Sequence, residues 1–257
     1  MIDSRAKHPA AAAAARRGRL DHTAVQCERL IRHLESKNNI LLLTTSTRYK
    51  EHRSDVPKTS QLARRIKTHL QEQRKQVTLI DVAGLMIHDC EGNISAQKGN
   101  SCGVADAKLR DKRKNPTGQH RCWASINNAD DQLYKISRAL FRSQVVIFFV
   151  SVRWGQTNGV YQRLFERLSW IENRVTTLGE KPIAQLKKLE AGVVLFGQNW
   201  NDAAVLKVQQ QNFRWFGWKA PKSLSLYWQY TRDAEDESAE SYLDAVAEFE
   251  ELVQIVR

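Results

Sequence analysis

The sequence predicts an α/β protein in which helices cover both faces of a parallel β-sheet. Five short apolar runs alternate with stretches of helical periodicity along the 257 residues. Two of the runs, Val145–Val150 and Ala191–Gly197, are apolar at nearly every position, which is typical of strands buried on both faces. Parallel neighbours need crossover connections, and the intervening helices supply them.

Each strand and helix can be placed in order along the chain. The predicted strands are Ile40–Thr45, Val77–Asp81, Val145–Val150, Ala191–Gly197 and Leu224–Tyr230. Four predicted helices have apolar residues three or four apart: Thr59–Glu72, Asp130–Phe141, Val160–Val175 and about Glu237–Val256. Two further helices are predicted over Thr23–Glu35, before the first strand, and Ala203–Phe213.

The domain organisation follows from these elements. We expect residues 1–20 to be a flexible tail and residues 21–257 to form one domain that ends in an acidic helix over residues 233–257. Residues 83–129 are polar, almost aperiodic and carry a basic run over residues 108–114. Loops of this length in a compact domain are usually functional or disordered, so we read this segment as an insertion.

Charge is distributed unevenly along the chain. Residues 233–257 contain nine acids and one base, whereas the whole chain carries +12, so the preceding part carries +20. A body this basic attracts nucleotides, phosphates or nucleic acid. The alternative is a solvated surface that the acidic C-terminal helix partly neutralises.

Cysteine usage and the absence of long apolar runs indicate the compartment. The four cysteines Cys27, Cys90, Cys102 and Cys122 form no C-x-x-C pair, and the N-terminus lacks the order of a secretory signal. We therefore expect reduced thiols in a cytoplasmic protein with no membrane span and no metal site.

The carboxyl ends of the first, third and fourth strands should hold any ligand, because parallel sheets bind ligands where their strand order reverses. After the first strand lie Ser46 and Arg48, and then Lys58, Thr59 and Ser60 at a helix start, which suits an anion. Alternatively, Thr59 or Ser60 is only a helix N-cap.

The loops after the third and fourth strands carry aromatic and amide side chains. The first of these loops contains Ser151, Arg153, Trp154, Gly155 and Gln156. The second contains Gly197, Gln198 and Asn199. Such residues can border a flat aromatic ligand and read its rim, although a single Trp can also simply pack on the sheet edge.

Several short motifs in these segments occur in the positions of known family motifs. Thr45–Arg48 and Lys58–Ser60 stand where the family has G-S-x-R and N/S-x-T, and Ser151–Gly155 stands for S-P-x-Y-W/F-G. Phe165–Leu168 matches a helix that ends in D-R, with Glu for Asp, and Asp130–Asp131 matches an acidic pair before the third strand. Over about residues 38–230 the chain thus resembles the NAD(P)H-dependent FMN reductase and iron–sulfur flavoprotein-like group of the flavodoxin-like superfamily.

This resemblance implies a flavodoxin-like three-layer sandwich with a five-stranded parallel sheet in the order 2-1-3-4-5. It also implies an oxidoreductase that passes electrons from NAD(P)H through bound FMN to a small acceptor such as a quinone or free flavin. Ser46, Arg48, Thr59 and Ser60 would hold the phosphate. Trp154, Gly155 and Gln156 would border the ring on one side, and Gly197, Gln198 and Asn199 on the other. A homodimer is possible in this group, and no catalytic side chain is required.

The chain also departs from the family pattern. Thr45 replaces a glycine, Val152 a proline and Arg153 an aromatic residue. A cation at Arg153 would favour reduced, anionic flavin; otherwise it is a surface residue paired with Glu166 or Glu172. Since the cysteines are too widely spaced for cluster ligation, no iron–sulfur cluster is expected.

Two other functions remain open from the sequence. A polyanion- or nucleic-acid-binding protein would explain the basic body, although no recognition motif is present. A flavodoxin-like scaffold without cofactor could also serve as an interaction module, because fold does not fix function.

Overall fold

The sheet has the predicted parallel order. The computed structural model describes residues 9–47, 56–92, 101–197, 201–229 and 239–256. The strands are β1 (Asn39–Thr44), β2 (Gln76–Asp81), β3 (Val145–Arg153), β4 (Gln156–Thr157), β5 (Glu190–Gly197) and β6 (Leu226–Gln229). Their order is β2-β1-β3-β5-β6, with the two-residue β4 antiparallel to the end of β3. Apart from β4, this is the predicted 2-1-3-4-5 order, which is confirmed.

Helices cover both faces of this sheet. They are α1 (Pro9–Glu35), α2 (Lys58–Glu72), α3 (Trp123–Asn127), α4 (Leu133–Leu140), α5 (Gly159–Leu168), α6 (Trp170–Thr176), α7 (Ala184–Lys187), α8 (Asp202–Trp215) and α9 (Ala239–Gln254). Short 3-10 turns lie at Val82–Gly84, Ala105–Ala107 and Lys222–Leu224.

Alternate side chains of the central strands fill two separate cores. On one face, Phe148 packs in a buried group with Tyr161 of α5 and Phe213 of α8. On the other face, Phe149 belongs to a buried group with residues of α1, α2 and α9, such as Phe249. Burial of each such side chain contributes about 1.5–3 kcal/mol, which explains why β3 and β5 are apolar at consecutive positions.

Most boundaries lie one to three residues from their predicted positions, as at α4, which begins at Leu133 rather than Asp130, and some differences are larger. Strand β3 continues to Arg153 because β4 pairs with its end. The helix predicted over residues 160–175 breaks into α5 and α6 at Ser169, whose hydroxyl donates to the Glu166 carbonyl. Helix α1 begins at Pro9, inside the predicted flexible tail. Strand β6 begins at Leu226 rather than Leu224, and Tyr230 lies outside the described residues.

The described parts of the insertion pack onto the domain rather than extending from it. Asn115 organises the segment around the basic run: its side-chain amide donates to the Leu109 carbonyl at 2.8 Å, and its oxygen accepts from the His120 amide at 3.1 Å. His120 is buried and stacks on Trp170 of α6 with ring centroids 5.3 Å apart. The buried side chains of the insertion therefore extend one of the two cores.

A buried ion pair beside the insertion holds it against α5 through further hydrogen bonds. Arg167 and Asp131 have fully buried side chains, and two guanidinium nitrogens donate to the two carboxylate oxygens at 2.8 and 3.0 Å. Arg167 also donates to the His88 carbonyl and the Ser125 hydroxyl. These two residues lie in the acidic pair and the D-R-like pair of the sequence motifs, and the structure brings them into direct contact.

Candidate functional site

Hydrogen bonds join the segments that follow β1 and β3 at the carboxyl edge of the sheet. The Thr45 amide and hydroxyl both donate to the Phe149 carbonyl at 3.1 Å. The side-chain amide of Asn158 donates to the hydroxyl oxygens of Thr45 and Ser151, each at 3.0 Å. The two predicted ligand loops therefore lie side by side, as a shared binding site requires.

Asn158 also begins the helix that follows β4. Its side-chain oxygen accepts a hydrogen bond from the Tyr161 amide at 3.1 Å, which makes it the N-cap of α5. Because the residue is buried, all of these polar contacts are protected from water. The network fixes the base of the β3–β4 hairpin relative to the end of β1.

The tip of this hairpin holds an exposed tryptophan in an unfavourable backbone conformation. Trp154 and Gly155 have φ angles of 51° and 67°, as both central residues of a type I′ turn require. Gly tolerates this region, but for a bulky residue it costs on the order of 1–3 kcal/mol. Trp154 is also 87% exposed, so it does not pack on the sheet edge. Neither feature stabilises the fold, and such strain is typical of ligand-binding sites.

The N-terminus of α2 lies at the same edge, since this helix follows the loop after β1. Its cap residue is Pro57, and no side chain caps the helix. Lys58, Thr59 and Ser60 form the first turn, which contains no acidic residue. The first amides of a helix together with a lysine form an anion-binding arrangement. The alternative, that Thr59 or Ser60 is the N-cap, is wrong.

The segment after β5 approaches the hairpin from the other side. The side-chain amide of Asn201 donates to the Gly155 carbonyl at 2.9 Å. Gly197 pairs with Val152 of β3, and a Cβ at Gly197 would lie 2.2 Å from an oxygen of Asp202. Only glycine therefore fits at Gly197, because the Asp202 carboxyl group occupies the space beside it.

Asp202 is a buried acid at the start of α8. Neither of its oxygens accepts a hydrogen bond of normal geometry from the described residues. Burial raises the pKa of Asp202 from 3.8 to about 8, and the Gly197 amide offsets this only in part. The carboxyl group is therefore mostly protonated at pH 7. Perturbed acids of this kind are frequent in functional sites.

Most of the predicted site residues fall on this edge. Ser46 is nearly buried beside Thr45, while Arg153, Trp154 and Gln156 are exposed on the hairpin. Thr59 is buried, whereas Lys58 and Ser60 reach the surface. Three predicted residues, Arg48, Gln198 and Asn199, lie outside the described residues.

Two predicted residues already have roles in the fold. Ser151 binds Asn158, and Gly197 accommodates Asp202. Arg153 forms no ion pair with Glu166, Glu172 or any other residue that the structure describes.

Sequence reasoning missed Asn158 and Asp202. Asn158 could have been recognised from Asn158-Gly159 before an apolar helical repeat, which is an N-cap signal. Asp202 carries no such signal, because only the fold buries it beside Gly197.

In the described ranges, no helix is long and apolar enough to cross a membrane.

Comparison with known proteins gives structural neighbours only. No family model and no curated protein matches the chain. RosB, solved with bound 8-demethyl-8-formylriboflavin-5'-phosphate, has a TM-score of 0.53 and 14% identity over 85% of this chain and 75% of its own. The azoreductase of Bacillus anthracis has a TM-score of 0.50 and 12% identity, covering 85% of this chain and 98% of that one. Azoreductase AzrA has a TM-score of 0.51 and 10% identity, covering 84% and 98%.

These likenesses and the observed strand order agree with each other. The neighbours align over most of the chain, and the sheet order β2-β1-β3-β5-β6 with helices on both faces is the one that the sequence predicted. The chain has the flavodoxin-like α/β fold.

Proposed function

We propose that this protein is an FMN-dependent oxidoreductase that takes electrons from NAD(P)H and passes them to a small acceptor such as a quinone or free flavin. FMN, when bound, supplies the redox chemistry, and the protein supplies placement and electrostatics. The site is the carboxyl edge formed by the α2 N-terminus, the β3–β4 hairpin and the segment after β5. The flavin phosphate bound in the RosB structure supports the choice of cofactor, and the azoreductase neighbours support a reductase.

Trp154 is the observation on which the proposal depends. It combines a positive φ with 87% exposure at the edge where this fold class binds ligands. The positive φ and the exposed indole both cost free energy in the ligand-free protein. A planar ring stacked on the indole would offset this cost. Its hairpin is held in place by Asn158 on one side and by Asn201 on the other.

The α2 N-terminus fits the phosphate of such a ligand. The uncapped first turn presents backbone amides, and Lys58 adds a positive charge to that turn. Ser60, half-buried in the same turn, can donate a hydroxyl hydrogen bond. We assign phosphate binding to these residues together with Ser46 and Arg48.

Arg153 is the charged residue best placed to tune a bound ring. It is exposed next to Trp154 and pairs across the hairpin with Gln156. A cation at this position favours negative charge on the ring, so Arg153→Ala should lower the midpoint potential of bound FMN. An unchanged potential would remove this role from Arg153.

The purified full-length protein tests the proposal through its visible spectrum and its NADPH oxidation. We expect a yellow protein that releases FMN on denaturation and oxidises NADPH when an acceptor is added. Trp154→Asn should weaken FMN binding about tenfold, the loss of a ~1.4 kcal/mol stacking contact. Trp215→Asn is the matched control, because Trp215 is 67% exposed on α8 and should leave FMN affinity unchanged. Colourless protein that FMN does not reconstitute would refute the proposal.

A second candidate function, polyanion binding, is favoured by a basic cavity beside the edge strand β2. This cavity of about 360 Å³ lies between the start of β1, one side of β2 and helix α4. Lys135, Arg138 and Arg142 line it, and none forms an ion pair with another described residue.

Salt dependence separates this candidate from the first. A labelled oligonucleotide should bind with an affinity that falls steeply, about 10-fold or more, between ~50 and ~200 mM salt. Arg138→Ala should reduce that binding without changing FMN affinity. A salt-independent signal, or one that Arg138→Ala leaves intact, would exclude nucleic-acid binding at this cavity.

A further inference from the structure

Cys102 and Cys122 lie opposite each other inside the insertion. The carbonyl before Cys102, that of Ser101, accepts a hydrogen bond from the Trp123 indole at 3.3 Å. The carbonyl after it, that of Gly103, accepts from the Arg121 guanidinium at 3.0 Å. Arg121 and Trp123 flank Cys122, so these two contacts hold the residues on both sides of Cys102 against those on both sides of Cys122, and the two thiols are in hydrogen-bond contact. Both thiols are free and buried in the same core.

The surroundings of Cys122 stabilise a thiolate. Hydrogen bonding with the Cys102 thiol is the largest cause that lowers the pKa of Cys122 well below its usual value, and His120 and Arg167 act in the same direction against burial. The pKa of Cys102 is raised by the same contact and by its burial. These directions favour a thiolate on Cys122, with the Cys102 thiol as its hydrogen-bond donor.

Cys27 provides the contrast within the same chain. It is buried in the other core, and its pKa is raised to about 12 by burial and by Glu28. No thiol of the described residues shares that core with it. Burial alone therefore gives an inert cysteine, and the Cys102–Cys122 pair differs from it through its neighbours.

We propose that Cys102 and Cys122 are a redox-active pair that hydrogen peroxide oxidises to an intramolecular disulfide, with Cys122 as the attacking sulfur. This inference does not depend on flavin binding. Disulfides that form in reducing compartments are usually transient and either catalytic or redox-sensing. The disulfide would close the loop that contains the basic run over residues 108–114.

The chemistry takes two steps. The Cys122 thiolate attacks one peroxide oxygen; a sulfur–oxygen bond forms, the oxygen–oxygen bond breaks, and the released hydroxide takes a proton to become water. The Cys102 sulfur then attacks the Cys122 sulfenic acid; the disulfide forms, the sulfur–oxygen bond breaks, and the departing hydroxide takes the thiol proton. In total, two thiols and one peroxide give one disulfide and two waters, and the sulfurs lose two electrons.

Peroxide treatment of the full-length reduced protein tests the pair. After alkylation in denaturant, mass spectrometry should show two fewer alkylated thiols and a peptide linked through Cys102 and Cys122. Cys122 should react with peroxide at least about tenfold faster than Cys27. The reason is that each unit by which a thiol pKa is lower gives about tenfold more thiolate. No linked peptide, a link through Cys90, or equal reactivity of Cys27 would overturn the proposal.

Single variants assign the attacking sulfur. In Cys102→Ser, Cys122 should stop at a sulfenic acid that a 1,3-dione reagent traps. In Cys122→Ser, Cys102 should remain a thiol. Cys27→Ser is the control and should form the disulfide as the parent does. Trapping at Cys102 instead of Cys122 would overturn the assignment, and the linked peptide from the parent stands as evidence even if a variant does not fold.

Discussion

The buried acid Asp202 makes folding stability depend on pH in a defined direction. Its pKa is about 8 in the folded protein and 3.8 in the reference state. A raised pKa means that the folded protein binds this proton more tightly than the unfolded chain does between those values. Asp202 therefore makes its full contribution to the unfolding free energy below about pH 4. This contribution falls as the pH rises and stops changing above about pH 8.

The size of this effect follows from the shift. One pKa unit corresponds to about 1.4 kcal/mol, and the shift spans about four units. The unfolding free energy should therefore fall by about 1.4 kcal/mol per pH unit in this window, for a total on the order of 5 kcal/mol.

Asp202→Asn isolates this contribution, because the amide resembles the protonated acid in shape and carries no charge. Urea unfolding of parent and variant between about pH 5 and pH 9 gives the comparison. The stability of the variant relative to the parent should rise by about 1.4 kcal/mol per unit up to about pH 8 and then level off. Asp106→Asn, the same substitution at an exposed residue, is the control. Parallel curves for Asp202→Asn and the parent would refute the reasoning.

Three further substitutions test the geometry of the fold and site. Trp154→Asn should raise the unfolding free energy by about 1 kcal/mol, since Asn tolerates a positive φ; a lower thermal midpoint would contradict the strain. Asn158→Ala should lower it by about 2–3 kcal/mol in urea unfolding, through loss of the cap and of the contacts to Thr45 and Ser151; a change under 0.5 kcal/mol would contradict the network. Asp131→Asn should cost about 3–5 kcal/mol at pH 7, because it leaves Arg167 buried without its partner, and near-parental stability would contradict the ion pair. Burial raises the pKa of Asp131, but the bonds from Arg167 outweigh it and the pKa is lowered. The parent should therefore keep the stabilisation from this ion pair until the pH falls below about 4. Urea unfolding in acid measures this loss.

The sheet could be predicted from sequence because burial on both faces leaves an unmistakable pattern. Val145–Val150 and Ala191–Gly197 are apolar at consecutive positions, and both fall inside strands of the structure. Four of the helices follow periodic apolar residues in the same way. Their ends were less accurate, because local events such as the Ser169 hydroxyl bond decide where a helix breaks.

The site could be predicted only in part. Topology places the ends of β1, β3 and β5 at one edge, so loop positions follow from strand order. The hairpin at Trp154 was missed because the dipeptide Trp-Gly is not a usual type I′ signal. Packing of the insertion was also hard to anticipate, since polar contacts such as those of Asn115 and Arg167 hold it rather than an apolar repeat.

Equilibrium titration of the apo-protein with FMN and with riboflavin, followed by flavin fluorescence, tests the central claim most directly. The two ligands share the ring that Trp154 would contact, and only FMN carries the phosphate that the α2 N-terminus would bind. We expect FMN to bind at least about 100-fold more tightly than riboflavin. This ratio corresponds to the binding free energy that about two charge-assisted hydrogen bonds to the phosphate would contribute. If neither ligand binds, or if both bind with equal affinity, the carboxyl edge is not a site for a flavin phosphate.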